Sequence, residues 1–187
     1  AADQMLDTPT NNFATLNPLQ TIGTAPSLSN GNLEITIGSS NWTQRTSTIV
    51  GKSGKWYAEC LIKSLSSTYA AFGVIGVNDL QTEKDSSPHA AATGMAFVID
   101  YRAGQPAIEG DGSIVLSNEV DLATGDILGI AMDLDNGKLY WHKNGTYINS
   151  GDPTSGATGT GAINVHTAGI YYYISYAVYN GAILNAN

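Results

Sequence analysis

Cysteine is almost missing from this 187-residue chain. The single one, Cys60, has no partner for an intrachain disulfide, so stability must come from a packed core. Its place in a strand-like run over residues 56–63 points to a buried small apolar side chain rather than a reactive thiol. Charge is scarce too. Asp, Glu, Lys and Arg together make up 13% of the residues, against a usual share of about 25%. Eight basic residues stand against 16 acidic ones, a net charge of −8, and the basic ones are scattered. Without a basic patch the chain offers no footprint for nucleic acid or for an anionic membrane surface. No apolar run nears the roughly 20 residues of a membrane span. Residues 1–4 show neither the basic nor the apolar region of a signal peptide. Helix-period segments and internal repeats are also lacking.

What fills the chain instead is Gly, Ser, Thr and Asn, interleaved with β-branched and aromatic residues. Glycines number 21, and apolar residues reach 42%, enough for a core. The clearest stretch is residues 125–146, GDILGIAMDLDNGKLYWHKNGT. Residues 127–133 read as an apolar strand, Asn136-Gly137 as a two-residue type I′ turn with positive φ at both positions, and residues 138–143 as the return strand. In the return strand Leu139 and Trp141 share one face, and Tyr140 and His142 the other. Asn144-Gly145 repeats the turn chemistry.

Further strands are predicted over 32–37, 47–50, 56–63, 71–77, 95–101, a hairpin pair within 107–116, then 169–178 and 182–185. Leu33, Ile35, Ile37, Leu61, Val74, Phe97, Ile99, Ile127, Ile130 and Leu139 form the expected core. Residues 78–93 and 149–163 read as long surface loops. Residues 1–31 read as an extended arm or linker pinned by Phe13, Leu16 and Leu19, with the folded domain over 32–187. About a dozen strands at intervals of roughly 8–12 residues predict an all-β fold, a two-sheet antiparallel β-sandwich.

Chemistry is thin. Asp133-x-Asp135-x-Gly137 suggests a calcium loop, but such a loop needs Gly sixth and Glu twelfth. Counted from Asp133 those places hold Lys138 and Asn144, so no metal is expected. His89, His142 and His166 lack zinc spacing, and no Gly-x-Ser-x-Gly elbow is present. Glu119-x-Asp121 is the nearest match to a glycosidase pair and reads better as a solvated strand end. The sequons at Asn41 and Asn144 read as chance. No cofactor is expected, and no catalysis. Aromatic side chains remain as binding candidates, because Tyr and Trp dominate binding hot spots: Trp42, in a polar segment, with Tyr101, Tyr147, Tyr171 and Tyr173. Trp56 and Trp141, on strands, are assigned to the core.

The hairpin of residues 125–146, together with Gly54-Lys55-Trp56-Tyr57-Ala58-Glu59 upstream and Tyr179-Asn180-Gly181-Ala182-Ile183-Leu184-Asn185 near the end, resembles the SPRY domain over residues 30–187. That resemblance implies a bent β-sandwich of the SPRY or jelly-roll kind and a binding module without catalysis. The segment DTPTNNFATLNPL resembles the lead-in to SPRY-like domains of bacteriophage structural proteins. The reading that follows is a virion surface module, on a tail fibre or the capsid. Its expected partners are other virion proteins or copies of itself, with a host-surface glycan as a further candidate. Two alternatives stand beside it: a cellular peptide-binding module, and a carbohydrate-binding or carbohydrate-active sandwich. The chain is also expected to be an excerpt of a longer polypeptide, since it starts without Met and stops where the family's closing strand continues into Phe-Gly.

Overall fold

Alternating apolar residues punctuated by Asn-Gly and Asp-Gly turns can bury one face per strand only by stacking two sheets. The computed structural model of the chain has this form. It describes residues 13–20, 24–65, 69–80, 92–100, 107–117, 120–165 and 167–187, with the backbone alone for 97–100. Tyr101, His89, His166, Glu119, most of the 78–93 loop and the side chains of Phe97 and Ile99 lie outside these residues.

The larger sheet holds β1 (Ser27–Ser29), β2 (Glu34–Thr36), β4 (Lys55–Ser64), β9 (Ile127–Asp133), β10 (Lys138–Lys143), β11 (Thr146–Tyr147), β12 (Ile163–Asn164) and β14 (Ile183–Ala186). Its order is β1-β2-β14-β4-β9-β10-β11, with β12 also on β10. The smaller sheet holds β3 (Trp42–Gly51), β5 (Tyr69–Gly76), β6 (Met95–Asp100), β7 (Ala107–Gly110), β8 (Ser113–Ser117) and β13 (Tyr172–Tyr179), in the order β3-β13-β5-β6-β7-β8. All the pairings are antiparallel. Among the described residues no helix is long and apolar enough to cross a membrane.

Between the sheets lie Leu16, Ile35, Phe72, Val74, Leu128, Ile130, Trp141, Tyr172, Tyr176 and Leu184. Each large side chain buried there contributes about 1.5–3 kcal/mol. Two polar tips cross the core and find backbone partners, as buried polar groups must. The Trp141 indole N–H donates to the Phe72 carbonyl at 3.1 Å. The Tyr176 hydroxyl donates to the Glu59 carbonyl at 3.2 Å. Cys60 is fully buried, and burial pushes its thiol pKa up, which leaves it inert.

Several expectations are corrected. The β9–β10 connection is four residues long, because Asp133 pairs with Lys138. Leu134 drops into the core, and the Asp133 carboxylate accepts from the Asn136 backbone N–H at 3.1 Å and side-chain amide at 2.9 Å. Gly137 alone of the supposed turn pair has positive φ, at 64°. The type I′ turn is the next one. Asn144 (φ 48°) and Gly145 (φ 82°) join Lys143 to its partner Thr146.

Ile127 is 36% exposed and Leu61 half-buried. The two face each other across β4 and β9 on the outer side of the larger sheet, while Cys60, Ile62 and Leu128 point inward. A strand apolar on both sides gives no alternation from which to read its facing. Leu33 is half-buried against the core, and Ile35, Ile37, Val74, Ile130 and Leu139 are buried as expected. Strand β3 runs well beyond residues 47–50. Its first half, Thr43 to Thr46, is polar yet buried, so hydrophobic periodicity could not mark it.

Candidate binding surface

The central strands of the larger sheet set up the surface. On their outer side three rows run across β4, β9 and β10: Lys55–Asp133–Lys138, Tyr57–Ala131–Tyr140 and Glu59–Gly129–His142. On the inner side the matching rows are Trp56–Met132–Leu139 and Ala58–Ile130–Trp141. Successive residues of a strand face opposite ways, so the adjacent pair Trp56-Tyr57 puts one large aromatic on each face.

Both are exposed, Trp56 by 39% and Tyr57 by 55%. For Trp56 this corrects the core assignment. It lies on the inner face but at the open end of the sandwich, where β3 ends at Gly51. Its indole lies against Gly51, where a Cβ would meet the indole nitrogen at 2.6 Å, and its N–H donates to the Ser53 carbonyl at 2.8 Å. The ring therefore forms the lip of a cleft between the sheets, about 910 Å³ in volume. Phe13, Leu33, Ile49, Met132 and Ile174 line it further in. Phe13 is half exposed.

Tyr57 is held by a relay. The Gly145 N–H donates to His142 Nδ1 at 3.1 Å, which leaves the neutral ring its proton on Nε2. Nε2–H donates to the Tyr57 hydroxyl at 2.7 Å, and that hydroxyl donates to Glu59 Oε1. The Asn187 amide holds the other Glu59 oxygen at 3.2 Å. The Tyr57 and His142 rings stack, 5.8 Å between centroids and 20° between planes. Gly129 makes room: a Cβ there would collide with the His142 ring. Burial and then Glu59 push the Tyr57 pKa far up. Burial lowers that of His142, against the pull of Glu59. Both ring nitrogens are engaged and His142 is 3% exposed, so this relay fixes the position of Tyr57.

A second hollow, about 230 Å³, lies on the outer face against Lys55, Trp56, Tyr57, Ala131, Tyr140 and Pro153. Trp56 and Tyr57 thus belong to both concavities. Among the described residues no group of three or more His, Cys, Asp or Glu could hold a metal ion.

The five aromatics singled out from the sequence fall in separate places. Trp42 starts β3 and packs against Tyr69 (6.0 Å) and Tyr179 (5.8 Å) at one end of the smaller sheet. Tyr171 and Tyr173 lie near the other end, Tyr171 exposed with the Lys52 ammonium 5.4 Å from its ring centroid, Tyr173 half-buried opposite Val50. Tyr147 belongs to the larger sheet, edge-on to His142 at 5.2 Å, and lines a hollow of about 450 Å³ with Lys143 and Asn144. Tyr101 lies outside the described residues. Trp56 was assigned to the core as a strand tryptophan and Tyr57 was not singled out; the signal available was the Gly51-Lys52-Ser53-Gly54 turn, which puts both near a strand start.

No protein-family model matches the chain, and no curated protein does. Solved structures do. The SPRY domain of human HERC1 superposes with a TM-score of 0.64 at 14% identity, covering 91% of this chain and 96% of that one. The TRIM65 PSpry domain superposes with a TM-score of 0.63 at 12% identity, covering 93% and 88%. The fold is therefore SPRY-like, as the hairpin motif implied.

Proposed function

We propose that the chain is a protein-binding module without catalytic activity, and that partners dock on the surface centred on Trp56 and Tyr57. The observation that carries this is the exposed aromatic pair standing between two concavities. Trp and Tyr supply large contact area at low entropic cost and dominate interface hot spots. Tyr57 is already fixed by its relay, so binding need not order it. Elsewhere in the surroundings polar tips are engaged with the protein itself, which supports binding over chemistry. The setting we propose is the surface of a bacteriophage particle, on a tail fibre or the capsid. Its supports are the likeness of DTPTNNFATLNPL to phage lead-ins and the sparse charge of the chain. A cellular SPRY-like module fits the same fold.

Selection of peptides from a random display library on the folded chain tests the binding surface. Enriched peptides should lose about tenfold or more in affinity on Trp56→Ala or Tyr57→Ala, a difference of about 1.4 kcal/mol. Peptides indifferent to both substitutions would sink the assignment. Electron microscopy of native phage particles labelled with antibody against this chain tests the setting, and unlabelled particles would remove it.

A further inference from the structure

The chain carries four Asn-Gly pairs: Asn30-Gly31, Asn136-Gly137, Asn144-Gly145 and Asn180-Gly181. At such a pair a polypeptide can attack itself, because Gly has no side chain to hold its amide nitrogen away from the preceding Asn side chain. The Gly nitrogen bonds to the Asn Cγ. The side-chain nitrogen leaves as ammonia, taking the proton that the Gly nitrogen loses, and a cyclic imide remains. Water then opens the ring at either carbonyl, which leaves an aspartyl or an isoaspartyl residue. Two groups must be free to move for this to happen: the Asn side-chain amide and the Gly N–H.

The fold treats the four pairs differently. At Asn144 both groups are tied. The side chain accepts from the Ile127 N–H and donates to Asp126, each at 2.8 Å, and the Gly145 N–H donates to His142 Nδ1 at 3.1 Å. At Asn180 the nucleophile is tied, since the Gly181 N–H donates to the Ile37 carbonyl at 2.6 Å; the Asn180 N–H is held by Ser39 at 3.0 Å. At Asn136 the side-chain amide is tied to Asp133 at 2.9 Å. At Asn30 neither group is tied. Its side chain and the Gly31 N–H make no hydrogen bond with the described residues, and both residues are exposed. A Cβ at Gly31 would meet nothing within 4 Å, so the side chain has room to swing round. The turn itself is weakly closed. Asn30, Gly31 and Asn32 have positive φ in succession, 54°, 69° and 64°. The Leu33 N–H reaches the Ser29 and Asn30 carbonyls only at 3.2 and 3.3 Å, at the long end of hydrogen-bond geometry.

We propose that Asn30 is a self-modification site, converting to aspartyl and isoaspartyl with water as the only co-reactant. Asn30 and Gly31 line the inter-sheet cleft together with Leu33 and Trp56. Each conversion therefore sets a new negative charge on the cleft lining. The isoaspartyl product also lengthens the main chain by one carbon in the turn that holds Ser29 opposite Glu34. The cleft changes with the age of the molecule, without an enzyme.

The test is to incubate the folded chain in mildly alkaline buffer and follow each Asn-Gly pair by peptide mapping, with fragmentation that separates Asn30 from Asn32 and isoaspartyl from aspartyl. The same chain unfolded in guanidinium is the control, and there the four pairs should convert at comparable rates. In the folded chain Asn30 should convert first, and Asn144 and Asn180 should be slower by at least about tenfold, because local opening must precede attack. Amide NMR of the converted fraction should show a shifted Leu33 signal. Conversion of Asn136, Asn144 or Asn180 as fast as Asn30 in the folded chain would overturn the assignment. So would an intact Asn30 after the unfolded chain has converted. A Leu33 signal unmoved by conversion would overturn the link to the cleft.

Discussion

The two faces of the β9–β10 pair are both buried, by different means. The inner face, with Leu128, Ile130, Leu139 and Trp141, is covered by the opposite sheet and packs as a dry apolar layer. The outer face, with Tyr140 and His142, is equally inaccessible but has no sheet above it. Tyr140 is covered by the loop after β11, where Ser155 meets its hydroxyl and Gly151 its ring. His142 is covered by Tyr57 and Tyr147. One face is held by volume and the other by a directional network resting on a glycine. Burial alone therefore does not say how a position will respond to change.

Four tests probe that contrast. The largest effect belongs to the inner face. Trp141→Ala removes a buried indole and strands the Phe72 carbonyl, and should cost about 3–5 kcal/mol in urea denaturation. A loss under 1 kcal/mol would mean that the layer is not close-packed there. Gly129→Ala adds only a methyl group, yet it should cost about 1–3 kcal/mol by overpacking against His142. Combining it with His142→Ala should give less than the sum of the two single losses; strict additivity would separate the glycine from the relay.

The two Asn-Gly turns at the ends of β10 should respond unequally. Asn144 has positive φ and holds both the Ile127 N–H and the Asp126 carboxylate through its side chain, each at 2.8 Å. Asn144→Ala should lose about 1–3 kcal/mol. Asn136→Ala loses only the side-chain amide bond to Asp133, keeps the backbone one and relieves no backbone strain, and should lose about 0.5–1.5 kcal/mol. Equal melting points in the two variants would contradict the turn assignments.

The smallest effect is pH dependence, and only the outer face should show it near neutrality. Burial holds the His142 pKa below its ordinary 6.5. As pH falls below about that value, the unfolded chain takes up a proton that the folded chain refuses, so stability declines on the acid side. His142→Gln should flatten that slope between pH 5 and pH 7, windows set by the ordinary histidine value. A separate loss follows at lower pH. Hydrogen bonds from Asn136 hold the Asp133 carboxyl below its ordinary 3.8, so its contribution is complete above that ordinary value and is lost as pH falls from there through the lowered one. Thermal midpoints across pH 3–8 in wild type and variant check both signs.

Much of the fold was legible because turn chemistry is local. Asn144-Gly145 must turn, β2 alternates, and residues 127–133 and 138–143 are strands at the predicted bounds. What was not legible depends on distant parts. Whether Ile127 or Leu128 faces inward is fixed by the register with β4, and both are apolar. The Asn136-Gly137 connection widened because Leu134 found a place in the core, which no property of the turn residues announces. Trp56 and Trp141 read alike as strand tryptophans. They differ because one lies at the sandwich mouth and the other under Phe72, a fact of topology. For the same reason the candidate surface was not foreseen: Trp56 was assigned to the core, and Tyr57 was not singled out.

The position of β14 carries a consequence for how the chain assembles. It lies between β2 and β4, pairing Leu184 with both Ile35 and Ile62. Residues 27–36 therefore gain their neighbour in the larger sheet only after some 150 further residues of chain have been made, a separation that places the closure of this sheet among slow, non-local folding events. Until then β4 keeps an open edge, and the early hairpin β1–β2 has nothing to join. During synthesis that exposed edge is where a nascent chain of this kind is most open to pairing with the wrong strand.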